Sequence, residues 1–417
     1  MLGAVEPHVL RSWTGGSRVA VEDREAYVVN GVRTPFGKHR GGLATVRPDD
    51  LAALVVTAAL ERSGVAPDQV DEVIFGGANQ SGEDNRNVAR MALLLAGLPD
   101  SVPGYTVNRL CASSVQSVAS AAQQIRTGEA DIVVAGGVES MTRAPYVMAK
   151  AGTPWAAAPQ VFDTALGWRL VNPRMKEVDG GKATITLGDT AEEVALLDGI
   201  TREQSDAWGI RSQERAATAR DAGYFDPDLI PVETPTGTVK VDEVPRATTA
   251  EKMASLKPVF RPDGIVTAGT SSPLADGAGA VVVASGAAVK RLGLTPRARL
   301  VGAASAGVAP SLMGLGPVPS TEKLLGRLGW SVGDVDAVEF NEAFAPQVIA
   351  SIRRLGLDPD TVNTDGGAIS LGHPLGATGI RLLLMLLSRL ERDDLSRGVA
   401  TLCVGVGQGM ALAVERV

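Results

Sequence analysis

The chain contains two copies of one segment, which limits it to folds built from two like halves. LERSGVAPDQVDEVIFGGA, starting at Leu60, lies over LGRLGWSVGDVDAVEFNEA, starting at Leu325, with eight of nineteen positions identical and no gap. The matches include Gly64 with Gly329, Asp71 with Asp336, and Phe75 with Phe340. Each copy predicts the end of a helix, a turn and a short buried strand.

The stretches downstream of the two copies are also alike. YTVNRLCASSVQSVASAAQQIRTGEADIVVAGGVES comes after the first, and VNTDGGAISLGHPLGATGIRLLLMLLSRLERDDLSRGVATLCVGVGQG after the second. Both predict strand, reactive residue, helix, strand and glycine-rich turn. The helix after Cys111 carries no charge before Arg126, and the one after His373 is apolar all round at Leu382 to Leu387. Helices with so little polar face need cover on more than one side. The pattern is therefore a layered α/β protein, with the two helices packed together between two sheets and Cys111, His373 and Cys403 brought to one place.

Residues 141–273 interrupt the repeat. They are richer in charge, Pro and Gly, and Thr201 with Gln204 fits a capping box on a helix of their own. This gives a domain division of 25–140 plus 274–296, an inserted domain 141–273, and 297–417. Residues 1–24 lack the apolar region of a signal peptide and read as a disordered extension; Arg11 and Arg18 among Ser and Thr leave a targeting role as the alternative. The net charge of −7 argues against nucleic-acid binding, though local arginines can still hold a small anion. No apolar run is long enough for a membrane helix. The expectation is a cytoplasmic protein with no membrane span and no nucleic-acid partner.

Rare residues narrow the chemistry. The chain has two cysteines and three histidines, with His8 in the extension and His39 in an early loop. Cys111 and Cys403 lack the spacing of a zinc site, and without a secretion signal a disulfide is not expected. Inert buried cysteines are the plain alternative. Cys111, however, opens a helix with no acid near its start, where free N–H groups and the helix dipole are expected to lower the thiol pKa. His373 stands among glycines in GGAISLGHPLGATG, where an imidazole can take a thiol proton and backbone can approach a bulky substrate. Cys403 ends an apolar strand before GVGQG; that spacing does not fit a dinucleotide loop, and MALAVERV after it reads as a strand. Asn341, in NEAF at a strand end, can hold a water or an oxyanion.

Four motifs in this order, NRLCASS, FNEAFAPQ, GGAISLGHPLGATG and CVGVGQG, resemble the thiolases, acyl-CoA:acetyl-CoA C-acyltransferases, from about Ala26 to the C-terminus. The resemblance implies two similar βαβαβαββ halves in a five-layered α/β/α/β/α core, with a loop domain covering coenzyme A. It implies that Cys111 carries the acyl group, that His373 activates it, and that Asn341 holds a water in the same oxyanion site. Cys403 is the implied second acid/base, and the N–H groups of Cys111 and Gly405 an implied second oxyanion hole. Arg246, Ser272, Leu256 and Phe260 are the implied coenzyme A contacts, with a solvated surface arginine as the alternative for Arg246. Leu187 and Phe344 join the implied substrate set. Coenzyme A and acyl-CoA enter as substrates, with no metal or redox cofactor, and a homodimer or homotetramer is implied.

Several departures bear on the substrate. Thr270 and Pro273 in TAGTSSPLADGA depart from acetoacetyl-CoA thiolases and resemble degradative 3-ketoacyl-CoA thiolases, and Thr186 and Leu187 in ITLGDTAEEVA stand where the acetoacetyl enzymes often carry His and Met. GGANQSGEDNRNVARMALLLAGLPDSVPG and GGVESMTRAPYVM most resemble 3-oxoadipyl-CoA thiolases. The expected reaction is thiolysis of a 3-ketoacyl-CoA, or its reverse Claisen condensation. A biosynthetic acetoacetyl-CoA thiolase and a non-catalytic CoA- or lipid-binding relative are the alternatives. A ketosynthase of the same superfamily would lack Cys403.

Overall fold

A computed structural model gives the fold and describes residues 21–155 and 160–417. Among the described residues fourteen strands run in chain order: β1 (Ala26–Arg33), β2 (Gly37–Lys38), β3 (Glu72–Gly76), β4 (Gly104–Val107), β5 (Ile132–Ser140), β6 (Tyr146–Met148), β7 (Val161–Asp163), β8 (Val232–Thr234), β9 (Gly237–Val239), β10 (Ala275–Ser285), β11 (Ala298–Gly307), β12 (Ala337–Phe340), β13 (Arg397–Val404) and β14 (Gln408–Arg416). The main sheet has the order β12-β13-β14-β11-β1-β10-β5-β3-β4, with β2 paired to β10.

This order is two copies of one arrangement joined edge to edge. In the first half β3 pairs in parallel with β4 and β5, and β10 lies between β5 and β1. In the second half β12 pairs in parallel with β13, and β14 lies between β13 and β11. Even the missing fifth strand leaves a trace, since Val338 bridges Val362 in parallel as its repeat partner Val73 pairs with Gly104. The sequence predicts two sheets. The structure joins them through two antiparallel pairs, Tyr27 with Arg299 and Val28 with Ala298.

The repeat identities have local causes. Gly64 and Gly329 both end a helix in the left-handed region, at φ 67° and 68°, which a residue with a Cβ adopts only at a cost. Asp71 accepts the N–H groups of Asp131 and Ile132, and Asp336 accepts those of Ser396 and Arg397, so each aspartate ties the start of β3 or β12 to the start of the next parallel strand.

Side chains alternate across the buried strands and so divide the core into layers. Val281 and Val283 of β10 face a cluster that also holds Leu402 and Leu412 of the second half, with helices Ser113–Thr127 and Thr378–Arg392 between them. Val282 and Ala284 face helices Pro48–Ser63 and Val88–Leu95 on the other side. Helices Pro317–Leu328 and Ala345–Leu355 cover the outer face of the second half. The result is helix, sheet, helix pair, sheet, helix.

The chain leaves the sheet after Ser140 and returns at Ala275. Between them lie two small hairpins and helices Leu187–Asp198, Arg202–Asp221 and Ala250–Ala254; the capping box of Thr201 and Gln204 is present. The expected extension, with His8, lies outside the described residues up to residue 20. Its last four residues depart from that expectation: Val21–Arg24 form a 3₁₀ turn, held by an ion pair of Asp23 with Lys290 (2.8 Å) and a bond from Arg24 to the Thr127 carbonyl (2.8 Å). Among the described residues no helix is long and apolar enough to cross a membrane.

Candidate active site

Cys111 lies in a 3₁₀ turn, Leu110–Ala112, directly before helix Ser113–Thr127. Leu110 has φ 46°, a conformation that non-glycine residues rarely hold and that recurs at functional turns. Ser113 ties the turn by donating to the Leu110 carbonyl (2.7 Å) and accepting from the Arg109 N–H (2.9 Å).

His373 comes from the other half, in the loop between Ala368–Leu371 and helix Thr378–Arg392. Its ring is held at both nitrogens, Nδ1 against Thr378 Oγ1 (2.7 Å) and Nε2 against Asn341 Nδ2 (3.3 Å). The Thr378 hydroxyl donates its hydrogen to the Pro374 carbonyl (3.0 Å), so Nδ1–H is the donor to Thr378 and Nε2 is the acceptor. Burial, with a smaller contribution from the Arg381 charge, drives the His373 pKa down to about 3. The imidazole is therefore neutral, with its basic nitrogen toward Asn341.

Glycines let these two segments meet. A Cβ on Gly137 of β5 would lie 2.0 Å from the Gly376 carbonyl oxygen and 2.6 Å from Ser114. One on Gly379 would lie 2.6 to 2.7 Å from Ser114 and Val115 of the Cys111 helix. The loop bearing His373 thus docks against the helix bearing Cys111 with no room for side chains at the seam.

Glu139, at the end of β5, completes the seam. It is buried and accepts the N–H groups of Ala78 (2.9 Å), Asn79 (3.0 Å) and Gly376 (2.9 Å). Burial raises its pKa to about 7 even against those three bonds. Sequence reasoning missed Glu139 and Thr378; an acid ending an otherwise apolar strand in VVAGGVES was the available signal for the first.

Two cavities meet at Cys111. One, with about 830 Å³ of empty space open to solvent, brings Cys111 and His373 together with Leu187, Phe260, Ser272 and Phe344. The other, about 560 Å³ on the same measure, shares Cys111 and Leu187 and adds Gly405, Glu139 and Trp168. Phe260 and Phe344 stand edge to face with centroids 6.0 Å apart, stiffening the wall of the first. Arg246 and Leu256 line neither. Arg246 donates to the Ala268 carbonyl (3.0 Å) beside a separate surface cleft, and Leu256 is half-buried against Gly269.

Cys403 is fully buried on β13, behind Ala343, Phe344 and Met313, which line the first cavity. Burial raises its pKa, and it is near enough to Cys111 for a negative charge there to raise it further. The Cys111 thiol departs from the lowered pKa expected at a helix start. Burial pushes it up to about 12, outweighing the N–H of Gly405 and its own N–H, which pull the other way. Desolvation of an anion exceeds what two amides and a helix start return. The resting site holds two thiols and a neutral imidazole, an arrangement for moving a proton when substrate arrives.

Residues 26–287 match the thiolase N-terminal domain and residues 294–416 the thiolase C-terminal domain. A beta-ketoadipyl-CoA thiolase of Pseudomonas aeruginosa is 52% identical over 403 residues, covering 94% of this chain and all of that one. A 3-oxoadipyl-CoA/3-oxo-5,6-dehydrosuberyl-CoA thiolase of Escherichia coli is 47% identical with the same coverage. The crystal structure of human mitochondrial 3-ketoacyl-CoA thiolase in complex with CoA superimposes with a TM-score of 0.89 at 41% identity, over 95% of this chain and 99% of that one. With two matching halves, two buried cysteines and one histidine at their seam, this chain belongs to the thiolase family of acyltransferases.

Proposed function

We propose that the protein cleaves 3-oxoadipyl-CoA with coenzyme A, giving acetyl-CoA and succinyl-CoA. The observation that carries the reaction is the meeting of Cys111 and His373 in one cavity, with Asn341 on the His373 ring and Cys403 behind the wall. The diacid substrate is supported by the names of relatives 47% and 52% identical over their full length.

In this reading His373 Nε2 takes the Cys111 proton as sulfur attacks the C3 ketone of the substrate. Substrate entry supplies the driving force, because a thiol at about 12 ionises only as its charge passes into a bond. The C2–C3 bond then breaks; Cys403 gives its proton to the departing acetyl-CoA carbanion, leaving succinyl on Cys111. Cys403 thiolate next takes the proton of incoming coenzyme A, whose sulfur attacks the thioester. Succinyl-CoA leaves, and Cys111 recovers its proton from His373. The N–H groups of Cys111 and Gly405 serve as one oxyanion site and Asn341, with a water, supports the other; each such donor is typically worth about 3 kcal/mol of barrier. Ser272, Phe260, Phe344 and Leu187 border the path of the pantetheine arm, with Leu256 and Arg246 further out toward the nucleotide. The protein acts as a cytoplasmic homodimer or homotetramer.

The test is CoA-dependent cleavage of acetoacetyl-CoA, a medium-chain 3-ketoacyl-CoA and 3-oxoadipyl-CoA by the pure protein. Highest kcat/KM on 3-oxoadipyl-CoA is expected. A preference for the medium chain moves the protein to fatty-acid degradation, and one for acetoacetyl-CoA overturns the weight given to Thr270 and Pro273.

A further inference from the structure

We propose that Arg169 binds the distal carboxylate of the acyl chain carried on Cys111 and so sets the enzyme's preference for 3-oxo diacids. The proposal rests on the substrate reading above and assigns it to one residue. Arg169 lines the cavity that holds Cys111, Gly405 and Glu139. It is the only lysine or arginine among the described residues lining either of the cavities that meet at Cys111. Among those residues it has no carboxylate within salt-bridge distance, and no hydrogen bond from it is present, although it is half-buried. The other half-buried arginines near the site are engaged: Arg143 with Glu83, and Arg261 with Asp189 and Glu193.

The segment that presents Arg169 is pinned. Thr164 accepts from the Asn79 side chain (2.9 Å) and donates to the Pro145 carbonyl (2.6 Å). The Trp168 indole N–H donates to the Ile185 carbonyl (3.1 Å), and its ring packs on Gly405, where a Cβ would lie 3.0 Å away. Gly167 and Leu170, on either side, both hold positive φ, 82° and 53°, so the turn has one backbone path. Arg169 therefore comes directly after the residue that covers one of the proposed oxyanion donors. A succinyl group on Cys111 places its free carboxylate roughly 4–5 Å from the thioester carbon, counting C–C bonds of about 1.5 Å, so its charge is met by groups that line the space at Cys111.

The remaining carboxylate of the cavity, Glu139, does not compete for the arginine. Its oxygens are taken by three backbone N–H groups, and it has no salt bridge to Arg169. An arginine with no carboxylate partner among the described residues discriminates in two directions. A bidentate carboxylate gains charge-assisted bonds, whereas an uncharged chain of equal length desolvates a cation for nothing.

The experiment compares kcat/KM for 3-oxoadipyl-CoA and for 3-oxohexanoyl-CoA, which differs only in ending in a methyl group, on wild type, R169M and R169K. The ratio of the two values is expected to fall about 100-fold in R169M and less in R169K. A ratio unchanged in R169M overturns the assignment while wild-type preference for 3-oxoadipyl-CoA leaves the substrate reading intact. Equal loss on both substrates also overturns it, since that marks a merely structural residue. Wild type showing no preference for the diacid removes the substrate reading itself, and the role of Arg169 with it. If R169M does not fold, inhibition constants of adipyl-CoA against hexanoyl-CoA on wild type and R169K give the same comparison, and an unchanged ratio there overturns the assignment.

Discussion

The hydroxyl of Thr378 decides which nitrogen of His373 is the base, because it fixes the proton on Nδ1. Burial fixes the charge, holding the ring neutral with a pKa of about 3. That depression has a consequence for stability. Between about pH 6.5 and 3 the unfolded chain binds a proton on His373 that the folded chain refuses, so this contribution is present above 6.5 and lost as pH falls. Wild type should lose about 2–3 kcal/mol relative to His373→Gln between pH 7 and 4.5, measured by denaturant unfolding. A constant difference over that range would mean the folded ring takes up its proton over the same pH range as the unfolded one. At this scale the sequence was legible in identity and misleading in charge. Cys111, His373 and Cys403 could be picked out from their neighbours, but the Cys111 pKa could not, because a helix start is visible in a sequence and the depth of burial is not. Arg169 stood out in no pattern. It gains meaning only in space, from lining the cavity at Cys111 with no salt bridge among the described residues.

Elements repeat more faithfully than residues. The two copies share Gly64 and Gly329 as left-handed caps, and Asp71 and Asp336 as ties between parallel strands, so two of the identities visible in the alignment serve the backbone directly. Where backbone makes no demand the copies diverge: Ile74 on β3 corresponds to Glu339 on β12, both buried, and Glu339 has its pKa raised to about 8 by burial despite the nearby Arg381 charge. Elsewhere the repeat makes a prediction. Gly326, exposed in helix Pro317–Leu328 with nothing near its missing Cβ, corresponds to the exposed Glu61 of the first copy. Gly326→Ala should stabilise by about 0.5–1 kcal/mol, since it removes freedom from the unfolded chain at no steric cost. Gly137→Ala should do the reverse. Its methyl would be driven into the Gly376 carbonyl and Ser114, costing about 1–3 kcal/mol and parting the His373 loop from the Cys111 helix. Denaturant midpoints check both, and kcat should fall only in the second. Equal behaviour of the two variants would show that the close approach at the seam is not maintained in solution.

At the scale of the molecule, the central pair of helices makes two halves into one unit. Helix Thr378–Arg392 belongs to the second half by sequence, yet its Leu384 reaches Gly31 on β1 of the first, where a Cβ would sit 2.9 Å from the leucine Cδ2. Its leucines at 382, 383, 384, 386 and 387 are almost wholly buried, because both sheets cover them. An amphipathic segment would have left a wet face; residues 382–387 have none, and that was readable in the sequence as an apolar run, although Arg381 and Arg389 of the same helix are buried as well. The edge-to-edge contact of β1 and β11 was not readable, because two pairs in register leave no periodic trace. Since neither half can expose this helix without losing its own core, the two should unfold together. Leu384→Ala removes packing from both at once and is expected to destabilise by about 3 kcal/mol. Calorimetry of that variant should show one transition at a lower temperature, its calorimetric and van't Hoff enthalpies in the same ratio as in wild type. Two resolved transitions, with only one shifted, would mean that the halves are separate domains in contact and that the helix layer belongs to one of them.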